Sequence, residues 1–343
     1  MFISSCFLGI IVLLEPTLTA EVLNDIQKIE ARVLQARREI KHGKIVIEAR
    51  YIKFPQNAVY ESLLQVFTLI FDPERTRWEW EALSPSGKVE YFMKHVLTPK
   101  RAIKYTPVSI EVGSPGKDER RRMHLFDPRV LGLAPSSLET LYGFGMEDCL
   151  LRPDRKLVSY EDAKEGGVDC KKAVFSFSHD ATAERVSLWY SVPEGGNVRR
   201  IECEKVINKT LNKWELFVDL SLLKHPVGWF PKKCHFRRFE GRDVVDEQVM
   251  EVKFVDFDSP VGDSSFGIST LGIPEGARVI EDFRPKTYSG GRLVDASSVD
   301  LTKAPLRRGP KGLGIRLSVV AILLLIAAVI LFATRRYLRA RPR

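Results

Sequence analysis

Three short constellations carry residue types suited to covalent or metal chemistry. Gly267-Ile-Ser269-Thr-Leu-Gly272 approaches a nucleophile elbow, but its spacing is one residue too long, and a proline follows where the elbow needs a helix. His179-Asp180 offers half of a base-and-orienter pair; at a strand end it reads as a solvated pair. Cys234-His235 joins two metal-ligand types, yet neighbours in a strand point to opposite faces and do not easily share one ion. The other histidines, His42, His95, His124 and His225, are scattered without metal-ligand spacing, and the charges of Glu119–Arg122 read as a solvated strand edge. CxxC, HExxH, GxGxxG and P-loop spacings do not occur. The expectation is no catalytic residue, no metal, no cofactor and no enzymatic activity.

Cysteines and aromatics remain. Cys149, Cys170, Cys203 and Cys234 follow the N-terminal apolar run, and in an oxidising compartment an even count permits disulfides in three pairings. Pairing nearest neighbours gives Cys149–Cys170 and Cys203–Cys234; buried thiols are the alternative. Trp78, Trp80, Phe175, Phe177 and Trp214 all fall on the apolar parity of alternating stretches. Such a set is either plain core or the lining of an apolar ligand site.

These residues ride on strands. Leu23, Ile26, Ile29, Val33 and Ile40 recur at helical steps up to His42-Gly43, predicting one amphipathic helix with Gly43 in its left-handed cap. The period then becomes two: Ile45/Ile47/Ala49/Tyr51, Phe67/Leu69/Phe71 and Trp78/Trp80, with further strands near Val108–Val112 and Arg121–Leu125. A second helical patch, Ser136 to Phe144, opens with a serine cap. Alternation resumes from Ala173 through Phe254, punctuated by Pro193–Asn197 and Glu240–Asp243. Alternation with polar partners indicates antiparallel strands with one wet face. The expected fold is α+β: about a dozen strands in one large curved sheet, a half-barrel, with two helices on its concave side, rather than a β-sandwich.

The ends set the compartment. The apolar run Phe7–Leu14, the breaker Pro16, and Leu18 and Ala20 before Glu21 have the form of a signal peptide, residues 1–20. Leu317–Thr334 is uncharged and rich in Leu, Ile, Val and Ala, predicting a transmembrane helix over 315–334 and a cytoplasmic Arg-rich tail over 335–343. The net charge of +9 owes most to the C-terminal stretch 315–343, where six Arg face no acid. Between the two ends 47 basic residues meet 43 acidic ones, so no nucleic-acid surface is expected. The division is then an extracytoplasmic domain over 21–284, a flexible linker over 285–314 and a single span, with the body in the periplasm or its equivalent.

Several phrases resemble a known family. Ala36–Gly43, Phe126–Leu133, the Arg-rich Asn197–Glu202, Gly228-Trp229-Phe230-Pro231, the strand Gln248–Phe257 and Phe266 followed by Leu271–Val279 are similar to exported bacterial proteins of the outer-membrane lipoprotein carrier (LolA/LolB-like) superfamily, in particular its membrane-anchored relatives. The resemblance implies a half-barrel with helices in its mouth and an apolar concavity that holds acyl chains, and names no catalytic residue. The expected function is a membrane-anchored binding protein for a lipid or a lipoprotein acyl chain. The alternative is a sensor or scaffold that meets a protein partner in the cell envelope.

Overall fold

The structure is a computed structural model and describes residues 4–53, 64–115, 127–136, 155–179 and 182–295, with side chains from Ala20 onward, apart from 178–183. The described residues belong to one compact unit, 1–296.

Among them, helix α1 (Ser4–Arg38) is followed by sixteen strands. The first meander holds β1 (Gly43–Lys53), β2 (Leu64–Phe71), β3 (Thr76–Leu83), β4 (Val89–Leu97), β5 (Ala102–Tyr105) and β6 (Ile110–Gly113). The second holds β7 (Arg155–Glu165), β8 (Val168–His179), β9 (Thr182–Ser191), β10 (Val198–Ile207), β11 (Thr210–Leu222), β12 (Trp229–Glu240) and β13 (Asp243–Asp256). Three short strands close the series: β14 (Arg278–Glu281), β15 (Arg284–Ser289) and β16 (Arg292–Asp295). All sixteen form one open sheet in the order β16-β15-β14-β6-β5-β4-β3-β2-β1-β13-β12-β11-β10-β9-β8-β7. The meanders join where β1 pairs antiparallel with β13, and β14 returns to run parallel to β6.

Alternation decides which face each side chain meets. Ile45, Ile47 and Ala49 of β1, Phe67 and Leu69 of β2, and Trp78 and Trp80 of β3 are buried on one face, here called inner. The row continues through Ala173, Phe175, Leu188, Ile201, Leu216, Phe236 and Met250 of the second meander. Helix α1 lays Ile26, Val33 and Leu34 into the same core, and the 3-10 turn Pro128–Val130 leads into Leu131, Leu133 and Ala134, also buried there. Gly132 has φ +76, and a Cβ on it would lie 2.8 Å from Pro231, so only glycine lets that turn close on β12. The opposite face carries a second core, in which Val96, Ile103 and Val112 pack with Phe266, Ile268, Leu271, Val279 and Tyr288.

The buried stripe of α1 is not purely apolar: Glu30 is 0% exposed. Arg155 of edge strand β7 meets its carboxylate with two guanidinium nitrogens, one at 2.7 Å, and the Tyr190 hydroxyl of β9 donates to it. The Arg155 guanidinium lies 4.5 Å over the Phe175 ring. Burial and the neighbouring carboxylate push the Tyr190 phenol well above its ordinary range, keeping it a neutral donor.

The expected fold class needs correction. The sheet is larger than a dozen strands and one pairing is parallel, because β14 to β16 lie in a Pro- and Gly-punctuated stretch whose period is too short to read. Two of them, β15 and β16, fall largely where a linker was expected. One helix, not two, is present among the described residues; the second patch, Ser136–Phe144, lies outside them except for Ser136. Residues 127–134 cover the sheet with a 3-10 turn and irregular chain, a form without the long helical period sought in the sequence. Helix α1 runs through Pro16 and Ala20, where a break and a cleavage site were expected. It ends at Arg38 rather than at Gly43. Gly43 opens β1 instead, where a Cβ would lie 2.4 Å from the Asp256 carbonyl oxygen. The C-terminal helix expected over 315–334 lies outside the described residues, and no described helix is long and apolar enough to cross a membrane. The expected strand Arg121–Leu125 lies outside them too.

Removing one member of a buried ion pair leaves the other charge stranded, at a cost of about 3–5 kcal/mol, whereas replacing both with apolar groups is often near neutral. Glu30→Leu is therefore expected to lower the urea midpoint sharply, and Glu30→Leu with Arg155→Met to recover most of the loss. Equal destabilisation by the single and double variants would contradict this account.

Candidate functional site

The inner face of β2 to β4 is the most aromatic part of the sheet. The register places Phe67 opposite Trp80, Leu69 opposite Trp78, Trp78 opposite His95 and Trp80 opposite Met93. Phe67 lies 6.2 Å from Trp78 and 6.5 Å from Trp80, centroid to centroid, and Trp80 lies 5.6 Å from Tyr91. His95 meets Trp78 edge-on at 5.6 Å. Two tryptophans two residues apart necessarily share a face, and the two-residue period of β4 brings Tyr91, Met93 and His95 beside them.

The five predicted lining residues sit in two places within one apolar cluster. Trp78 and Trp80 form the strip just described. Phe175 and Phe177 lie on β8, eight strands from β3 in the sheet order, with Phe175 fully buried beneath Arg155. Trp214 stands between these places on β11, partly buried, opposite Cys203 and Arg238. The structure therefore unites the two tryptophans and separates them from the two phenylalanines.

His95 is the polar member of the strip, and sequence reading passed over it as one of several scattered histidines. Both ring nitrogens are sheltered from solvent, and neither has a hydrogen-bond partner among the described residues. Burial, with Lys104 on the neighbouring strand, pushes its pKa down to about 4, so the ring is neutral at neutral pH. The alternation Tyr91/Met93/His95/Leu97 after the Ser84–Gly87 turn was the signal available for it.

The other chemical candidates do not assemble. Ser269 is exposed on the 3-10 turn Ile268–Leu271. His235 points to the outer face, where Nε2 lies 2.7 Å from Glu247, while Cys234 points inward, fully buried, with its thiol pushed up to about 12. A thiol so raised is a poor nucleophile and metal ligand. The Cys203–Cys234 pairing fails on geometry. Cys203 is opposite Trp214 and Cys234 opposite Val218, so they stand two strands apart and four residues out of step. That separation is ~16 Å from strand spacing and rise, against the ~7 Å limit for a disulfide. Cys170 is a buried free thiol; Cys149, its expected partner, lies outside the described residues, as do His124, Glu119–Arg122 and the side chains of His179 and Asp180. No group of three or more His, Cys, Asp or Glu among the described residues is placed to hold a metal ion.

The outer face of the second meander has different chemistry. One cross-strand row runs Lys172–Trp189–Arg200–Phe217–His235. Arg200 lies 4.8 Å over Trp189 and 4.7 Å over Phe217, and Lys172 lies 5.1 Å over Trp189. Glu215 beside this row receives Arg237 at 2.6 Å and Lys213 at 2.7 Å, whose charges hold its carboxyl below the usual range. Cations capping rings in this way let aromatic side chains face water without presenting bare apolar surface.

No family model matches the chain, and no curated protein sequence matches it. Among solved structures it is similar to the crystal structure of LprF from Mycobacterium bovis, at 8% identity and a TM-score of 0.28, over 70% of this chain and 95% of that one. A likeness of that size leaves the reading of the strip to its own residues.

The imidazole gives a pH test. A histidine held near pKa 4 in the fold and near 6.5 in the unfolded chain adds stability above pH 6.5 that is lost as pH falls toward 4, by up to about 3 kcal/mol. Urea titrations across that window should show the protein losing up to about 3 kcal/mol relative to His95→Leu as pH falls through it from above. A constant difference between them would contradict a buried neutral ring.

Proposed function

We propose that this is a non-catalytic binding protein of the cell envelope that holds a lipid, or the acyl part of a lipoprotein, against the aromatic strip of β2 to β4. The observation that carries the reading is the pairing of contiguous apolar rings, Phe67, Trp78, Trp80 and Tyr91, with one sheltered and unpartnered imidazole at His95. Rings supply apolar area, and enclosing each methylene of an acyl chain is worth about 0.8 kcal/mol. A neutral imidazole can donate to an ester carbonyl or accept from a hydroxyl, which would fix the polar end of the ligand and satisfy a group otherwise left unpaired. Function of this kind needs shape and burial rather than a nucleophile.

The test pairs fluorescent acyl-probe titration with thermal melting for Trp80→Leu and Trp80→Glu. Trp80→Leu keeps an apolar side chain at a site 8% exposed, and is expected to leave a cooperative fold while weakening the probe about tenfold or more. Trp80→Glu places a carboxylate among rings and is expected to lose both fold and binding. Absence of saturable probe binding by the unaltered protein, or unchanged affinity in Trp80→Leu, would overturn the reading.

A further inference from the structure

The hairpin between β14 and β15 turns through Asp282 and Phe283, with φ of 46° and 65°. A two-residue turn with both residues at positive φ is where glycine is favoured, especially at the second position, and where a bulky aromatic residue is an outlier. The same sheet shows the glycine solution twice and a polar one once, Asn208-Lys209 between β10 and β11 at φ 51° and 65°. Gly166-Gly167 joins β7 to β8 and Gly290-Gly291 joins β15 to β16, with closely similar φ values. At 283 the chain instead carries a phenylalanine that is 100% exposed. Phe283 thus holds a backbone conformation that is costly for a bulky side chain, and no described residue covers its ring.

The surroundings indicate what it meets. The tip is held firmly: the Asp282 amide donates to the Val112 carbonyl at 2.9 Å, and Arg101 reaches Glu281 at 2.5 Å, bringing the β4–β5 turn alongside. Ile280 and Pro285, opposite one another in the ladder, add exposed apolar surface behind Phe283. Arg278, Arg284 and Lys100 are exposed, and none makes an ion pair among the described residues; the carboxylates at the turn are Asp282 and Glu281, the latter opposite Arg284 in the ladder and paired with Arg101. A single ring on a projecting turn, with cations around it, suits a deformable, negatively charged surface. A folded partner protein would need a broader contact patch than one side chain offers.

We propose that the β14–β15 hairpin is a membrane-contact point: Phe283 enters the interfacial layer of an anionic bilayer while Arg278, Arg284 and Lys100 face its phosphates. This is independent of any ligand on the aromatic strip, which lies on other strands.

Two measurements on the full chain test it. With 4-cyanophenylalanine at position 283, the nitrile infrared band should shift from its water position on adding vesicles of phosphatidylcholine and phosphatidylglycerol in equal parts. It should stay in place with phosphatidylcholine alone, and return at high salt. Phe283→Gly should raise the melting temperature, because glycine relieves the turn, while weakening binding to the mixed vesicles about tenfold. A nitrile that stays in water beside mixed vesicles would overturn the proposal, as would a melting temperature lowered by Phe283→Gly. A shift produced by a cell-envelope protein extract and not by vesicles would overturn it in favour of a protein partner.

Discussion

A carboxylate without exposed surface is tolerable only if its charge is answered, and Glu30 is answered twice, by Arg155 and by Tyr190. This contact ties α1 to β7, the outermost strand of the second meander, and to β9 two strands inward. Other contacts of the helix follow along it. Ile29 sits against Gly196, where a Cβ would come within 2.3 Å, and Arg37 lies 4.5 Å over the Phe230 ring of β12. An edge strand is normally where a sheet frays or recruits another chain. Here the inner surface of the edge carries one half of a buried ion pair, so loosening the helix or the strand leaves a charge stranded.

The two faces of the sheet keep aromatic side chains in different ways. On the inner face rings meet rings and aliphatic side chains, and among the buried polar groups there His95 stays neutral because burial makes its charged form costly. On the outer face of the second meander, rings are capped by Lys172, Arg200 and Arg237; Glu161 answers Lys172, and Glu202 and Glu215 answer the two arginines. Burial lowers one group's tendency to carry charge, while solvent and opposite charges let others keep theirs. That division places the ligand-binding proposal inside and leaves the outer lattice as a stabilised, wet surface.

The strands were legible wherever two-residue alternation ran long enough. Ile45/Ile47/Ala49, Phe67/Leu69 and Trp78/Trp80 are buried on the face their parity assigned, and the helical stripe of Ile26 and Val33 faces the core. Glu30 and Arg37 occupy the same stripe, but a charge on a helix reads as solvent-facing until its partner is known, and Arg155 is 125 residues away in sequence. β4 was passed over because Met and His weaken the alternation of Tyr91 to Leu97. β14 to β16 were hidden by their shortness, and their parallel contact with β6 is long-range in a way no local pattern encodes. Sequence proximity also misled for the cysteines. Cys203 and Cys234 flank one hairpin segment in the chain yet stand two strands apart and out of register. For the site, residue type picked out the tryptophans, while the one polar group among them required the register of the sheet.

The central claim is that the strip of Phe67, Trp78, Trp80, Tyr91 and His95 is occupied by an acyl chain. Native mass spectrometry of the protein purified from its own cells, followed by solvent extraction of the same sample, tests this most directly. The account predicts a discrete mass above that of the polypeptide, released on extraction as a lipid or acylated species, and lost from His95→Leu or Trp80→Leu protein that still melts cooperatively. A bare polypeptide mass under gentle conditions, or an adduct kept unchanged by both variants, would contradict it.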